Sequence, residues 1–127
     1  MVYSFPTLKD VELSHGEVVA VGIIRMLLIN LNDLLNQNRM TEQQIYETAH
    51  LIYEDGYYLK ITELYEFFKR VKKGLYGNYY GSIDGLKVMI DFQEFMGDRM
   101  AAIRANKEDE ARRKRREEFD RMMRIRN

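Results

Sequence analysis

The sequence predicts an all-α fold, a small orthogonal helical bundle of about four helices with a long charged C-terminal helix extension. Three observations lead there. Apolar residues recur at spacings of three and four through most of the chain, capping signals stand in front of those runs, and the one β-like stretch has no second stretch to pair with. Residues 1–13 are expected to form an N-terminal arm, 14–105 the helical domain, and 106–127 the charged helix.

The arm holds the only proline, Pro6, and shows no helical period, so it reads as extended. Ser14-His15-Gly16-Glu17 has the S-x-x-E spacing of a capping box and starts the first predicted helix. That helix runs to about Gln37. Its apolar residues, Val18 through Leu35, cover more than one face, which marks it as the central helix of the core. Arg25, Asn30, Asn32 and Asp33 interrupt the run and argue against a membrane span.

After the polar turn Asn36-Gln37-Asn38-Arg39, Thr41 and Gln44 offer a second capping box. Ile45, Ala49, Ile52 and Tyr53 then give one apolar face, and Gly56 is expected to end this helix as a left-handed cap. Tyr57-Tyr58-Leu59-Lys60-Ile61 reads as an ordered connection. Thr62 is expected to cap the third helix, whose buried face is Leu64, Phe67, Phe68 and Val71 and whose end is Gly74. A corner rich in glycine and tyrosine follows. Ser82 is the predicted cap of the fourth helix, with Asp84 at its positive end, and Leu86, Met89, Ile90, Phe92, Phe95, Met96, Met100 and Ile103 are predicted to face inward. Beyond Ile103 the apolar period stops. Glu108/Arg112, Asp109/Arg113 and Glu110/Lys114 are acid-before-base pairs that carry the helix on, and Phe119, Met122, Met123 and Ile125 form a small apolar cluster near its end.

Composition narrows the function classes. An apolar share of 46% with 31% charged residues excludes a chain disordered throughout. The net charge is zero, so nucleic acid cannot be held by the overall field and any such binding needs a local patch. Residues 107–127 hold 9 Lys/Arg and 6 Asp/Glu, which puts the positive excess there. With no cysteine, disulfides, thiolate chemistry and the usual zinc sites are excluded. MVYSFPTLKD lacks the pattern of a signal peptide, and the expected location is the cytoplasm.

No catalytic, cofactor or metal constellation emerges. His15 and His50 have no ligand spacing, and the glycines fit neither a phosphate loop nor a dinucleotide fingerprint. Asp84, Asp91, Glu94 and Asp98 fall on roughly one side of the fourth helix, as either an acid/base or magnesium cluster or the side an amphipathic helix turns to water. Two places suit a binding function. Lys69, Arg70, Lys72, Lys73 and Lys87 could contact phosphates while Tyr76, Tyr79 and Tyr80 offer stacking faces for unpaired bases. The consecutive cations Arg112, Arg113, Lys114, Arg115 and Arg116 form the second, tempered by their acidic flanks. The bland alternatives are cations serving a helix C-terminus and tyrosines packing a corner.

Met40-Thr41-x-x-Gln44-Ile45-x-Glu47-Thr48-Ala49-x-Leu51-Ile52, Tyr58-Leu59-Lys60-Ile61 and the run from Phe67-Phe68-x-Arg70-x-Lys72-x-Gly74-x-Tyr76-Gly77 through Tyr80-Gly81-x-Ile83-Asp84-Gly85 carry a resemblance. Over about residues 17–105 the chain resembles a family of small uncharacterised helical proteins encoded by Bacteroidota, their phages and mobile elements. Its helical layout is also loosely similar to phage helicase-loader and replication-accessory proteins. The family itself implies little function, and the second likeness would suit a small adaptor that binds a replication enzyme or single-stranded DNA in a bacterial host cell. Taken with the residues, the expectation is a non-enzymatic adaptor whose partner is a protein, with nucleic acid as a further partner, no membrane, and no cofactor. The alternative expectation is a structural or self-assembling virion or scaffold protein, which would be a homo-oligomer.

Overall fold

A computed structural model of the chain describes residues 5–34, 39–77, 79 and 83–126. The described residues form five helices, α1 (Leu8–His15), α2 (Glu17–Asn32), α3 (Glu42–Gly56), α4 (Ile61–Lys72) and α5 (Gly85–Arg126). The expected all-α helical bundle is what the chain forms. Two compact units divide it, residues 1–94 and residues 95–127, where the sequence places a boundary after residue 105.

The first helix was not foreseen. Residues 8–13, expected as an extended arm, belong to α1, which opens with a capping box in which Asp10 takes the usual glutamate's place. The Thr7 N–H donates to Asp10 Oδ2 (3.0 Å) and the Asp10 N–H to Thr7 Oγ1 (3.1 Å). The start of α1 is stitched to the Tyr57–Ile61 connection. Leu8 and Lys9 N–H groups donate to the Leu59 and Tyr57 carbonyls (2.9 and 2.8 Å), and the Ile61 N–H donates to the Pro6 carbonyl (3.0 Å). Thr7 and Lys60 thus form an isolated antiparallel bridge. The strand-like residues at 57–61 found their partner in the segment read as an arm. Ser14 therefore lies in the last turn of α1 and caps nothing. Gly16, at φ 96°, separates α1 from α2 in a conformation that side chains resist.

The α2 helix is central to the packing, meeting α1, α3 and α4, but it is buried on one broad face only. Ala20, Val21, Ile24, Leu27, Leu28 and Leu31 are buried, whereas Val18 is 85% exposed and Val19, Met26 and Ile29 also reach solvent, as does Leu34 just past its end. It ends at Asn32, short of Gln37, which lies outside the described residues together with Leu35, Asn36 and Asn38. Asn32 is buried and clamps the next segment. Its Nδ2 donates to the Met40 carbonyl (3.1 Å) while its Oδ1 accepts from the Met40 N–H (2.8 Å).

The capping box at Thr41 and Gln44 forms as expected, with bonds of 3.1 and 2.9 Å. Gly56 does not serve as a left-handed cap. It stays within α3, where a Cβ would stand 2.8 Å from Phe92 Cζ, so the missing side chain admits the Phe92 ring. Thr62 is not the cap of α4. The helix begins at Ile61, and the Lys60 N–H donates to Glu63 Oε1 (3.2 Å). Its face of Leu64, Phe67, Phe68 and Val71 is buried as predicted, with Phe67 meeting the Phe68 and Phe92 rings edge-on at 5.0 and 5.2 Å. Gly74 closes it. The Leu75 and Gly74 N–H groups return to the Arg70 and Val71 carbonyls, a Schellman closure that needs the positive φ of 74°.

Asp84 caps α5 by accepting the Leu86 N–H (2.9 Å), while Ser82 lies outside the described residues. The inward set differs from expectation. Phe92, Phe95 and Met96 are buried as expected, but Leu86 is 69% exposed, Ile90 and Met100 also face solvent, and Val88 and Asp91 are buried in their place. From Arg104 to Arg126 every residue is exposed.

Candidate binding surfaces

The glycine–tyrosine corner is tied down by Asp91, which the sequence offers either to a carboxylate cluster or to the water-facing side of the helix. Asp91 is only 1% exposed, whereas Asp84, Glu94 and Asp98 are exposed, so the four carboxylates share no site. The described residues hold no group of three or more His, Asp or Glu able to hold a metal ion. Instead Asp91 accepts from the Tyr79 hydroxyl (2.7 Å) and from Lys87 Nζ (2.6 Å). The same ammonium donates to the Tyr76 carbonyl (2.7 Å) and stands 5.4 Å from the Tyr79 ring centre. Lys87 and Asp91 sit one turn apart on α5, so one helix face supplies both charges that fasten residues 76 and 79.

The electrostatics follow from this geometry. Burial, the hydrogen bond to Asp91 and its negative charge, in that order, push the Tyr79 phenol far above the usual tyrosine range. Arg70 bonds Glu66 through Nε (3.2 Å), and the neighbouring Tyr76 and then Glu66 hold its guanidinium more firmly protonated still. The Tyr76 ring also lies 6.2 Å from that of Phe67, which anchors the corner on α4.

The predicted contact residues therefore separate into groups. Tyr76, Tyr79 and Lys87 come together, but Asp91 joins Tyr79 to Lys87 and the Lys87 ammonium holds the Tyr76 carbonyl, so a base stacking on Tyr79 would meet a side chain already engaged. Lys69, Lys72 and Lys73 are exposed at the end of α4, with the Lys72 ammonium on Asn30 Oδ1. Tyr80 lies outside the described residues. Arg112, Arg113, Lys114, Arg115 and Arg116 belong to the second compact unit and are all exposed. There Arg112 pairs with Asp109, and Lys114 with Glu110 (3.5 Å).

A further surface was missed. Between α2 and α4 runs an open groove of about 780 Å³ floored by the buried Leu27 and Phe68. Met26, Ile29 and Tyr65, each about half exposed, form its apolar sides. Asp33, Glu66, Lys69 and Lys72 line its edges, and the two acids are already met from outside, Asp33 by Arg39 (3.5 Å) and Glu66 by Arg70. Lys69 and Lys72 are the cations that line its rim. The signal was present in the sequence, because Met26 and Ile29 extend the apolar content of α2 beyond what one buried stripe uses.

Among the described residues no helix is long and apolar enough to cross a membrane. No curated protein and no solved structure matches the chain significantly. A model for a family of unknown function, DUF6633, matches residues 39–119, a span that takes in α3, α4, the corner and most of α5. Since that span is well over half of the chain, the protein belongs to this family of unknown function.

Proposed function

We propose that the protein is a non-enzymatic adaptor that takes an amphipathic helix of a protein partner into the α2–α4 groove. The observation that carries this reading is the open apolar strip of Met26, Ile29 and Tyr65 over Leu27 and Phe68, a shape that accepts side chains at i, i+3 and i+4 of a helix. Charge selects among such helices. Lys69 and Lys72, both at the C-terminal end of α4, favour a partner helix acidic at the end that meets them. The loose similarity of the helical layout to phage helicase-loader and replication-accessory proteins suggests the setting, an accessory protein bound to a replication enzyme. In this reading nucleic acid is reached through the exposed cations Lys69 and Lys73 rather than through Tyr79 and Lys87.

The test is an NMR titration with a synthetic helical peptide carrying a leucine stripe and a glutamate-rich end. Shifts confined to α2 and α4, with affinity weakened at least about tenfold in Ile29→Glu, support the groove. Shifts elsewhere, or equal binding by the variant, refute it.

A further inference from the structure

The charged end of α5 looks self-neutralised when read as a string, and on the helix it is not. At 3.6 residues per turn, Arg112, Arg115, Arg116, Phe119, Met122, Met123 and Arg126 fall within roughly a quarter-turn either side of Phe119. Glu117, Glu118 and Asp120, the acids of the 111–126 segment, fall on the other half. The segment therefore shows a face about 24 Å long with four arginines, three large apolar side chains and no acid. All of these residues are exposed, Phe119 by 61%. Glu108, one turn before Arg112, borders this face at its start, and neither it nor the exposed pair of Arg112 with Asp109 neutralises Arg115, Arg116 and Arg126 further along.

A surface of opposite character lies on α2 and α3. The α3 sequence has four acids, Glu42, Glu47, Glu54 and Asp55, and no lysine or arginine. Glu47, Leu51 and Glu54 are exposed at spacings of four and three along one side. Beside them two adjoining hollows of about 220 and 370 Å³ share Tyr46 and His50, and Glu17, Val18 and Leu51 complete their apolar and acidic walls. Arg25 is the one cation lining these hollows, and it lies over the Tyr46 ring, 5.8 Å from its centre.

We infer that the arginine–phenylalanine–methionine face of α5 docks on the acidic, apolar α2–α3 surface of a second copy of this chain. The pairing is of a basic amphipathic helix with an acid-flanked hollow. Phe119, Met122 and Met123 enter beside Val18 and Leu51, while Arg115 and Arg116 meet Glu47 and Glu54. Apolar anchors within the basic face favour a protein surface over a nucleic-acid backbone, which would make no use of them. This contact does not involve the α2–α4 groove and stands or falls separately from it.

Sedimentation of the full chain across concentration and salt reads the outcome. The mass is expected to rise to at least twice 15.2 kDa at low salt and to fall back as salt increases. Phe119→Ala with Met122→Ala should remove the association while leaving the helical circular dichroism unchanged. Charge reversal gives the sharper arm. A copy with Arg115→Glu and Arg116→Glu, and another with Glu47→Arg and Glu54→Arg, should each stay monomeric alone and associate when mixed. A monomer under all conditions overturns the inference, as does association indifferent to these substitutions or a failure of the mixed pair. Displacement of the association by a single-stranded DNA oligonucleotide at stoichiometric amounts would assign the face to a polyanion instead.

Discussion

Removing either partner of the Lys87–Asp91 pair should not cost the same, although the two groups share one bond. Lys87→Met leaves a carboxylate that is 1% exposed with only the Tyr79 hydroxyl to face, and it also removes the donor to the Tyr76 carbonyl. Stranding a buried charge in this way costs about 3–5 kcal/mol. Asp91→Leu instead leaves an ammonium whose side chain is 31% exposed and can rehydrate, and a leucine fills the space apolarly. Its cost is nearer that of the lost Tyr79 bond, about 1–2 kcal/mol. Urea unfolding followed by circular dichroism separates the two. With a slope of about 1–3 kcal/mol per molar urea, Lys87→Met should lower the midpoint by roughly 2 M and Asp91→Leu by well under half of that. The double variant should be more stable than Lys87→Met alone, since it removes the stranded charge. Asp91→Leu proving the more damaging, or both variants lying within about 0.5 kcal/mol of the parent chain, would refute the reasoning.

Gly56→Ala puts a methyl 2.8 Å from Phe92 Cζ and 3.0 Å from Leu59 Cδ1, both fully buried, and should lower stability by about 1–3 kcal/mol in the same assay. Asn32→Ala leaves the buried N–H and carbonyl of Met40 without their side-chain partner and should cost about 1–3 kcal/mol, while Asn32→Ser recovers little because its hydroxyl is too short to bridge both. Tyr79 is raised far above its ordinary value and Tyr53 to about 12, the latter by burial and then by Glu12. Because the folded values lie above the unfolded value of about 10, the stabilisation is complete below that pH and is lost as pH climbs through the folded values. Phenolate absorbance should show at least two of the nine tyrosines ionising late and together with alkaline unfolding, and one fewer in Tyr79→Phe.

Much of the helical layout was legible because its signals are local. The Thr41/Gln44 box and the Leu64, Phe67, Phe68, Val71 face depend only on neighbours three and four residues away, and both formed as read. The misreadings share a cause in tertiary pairing. Helix α1 is eight residues with only Leu8 buried, so it has almost no apolar period, and its first amides are satisfied from residues 57 and 59, far off in sequence. Gly56 looked like a cap because local rules reserve a glycine after a helix for that role, but the approach of Phe92 decided it. Asp91 was assigned to the wet side by its charge. Yet Val88, Asp91, Phe92 and Phe95 have the i, i+3, i+4, i+7 spacing of a buried stripe, with Lys87 one turn before Asp91 as the available counter-charge. Spacing there outranked residue type. The α2–α4 groove was hidden for a related reason, since α2 looked apolar enough to be surrounded when it is covered on one face only.

The account rests on a division of labour, with Tyr79 fixing the corner and Met26, Ile29 and Tyr65 left open to a partner. Isothermal titration of the leucine-stripe, glutamate-ended peptide into Tyr79→Phe and Ile29→Glu tests that division directly. The account predicts affinity within about twofold of the parent chain for Tyr79→Phe and a loss of at least about tenfold for Ile29→Glu. The reverse order would contradict it.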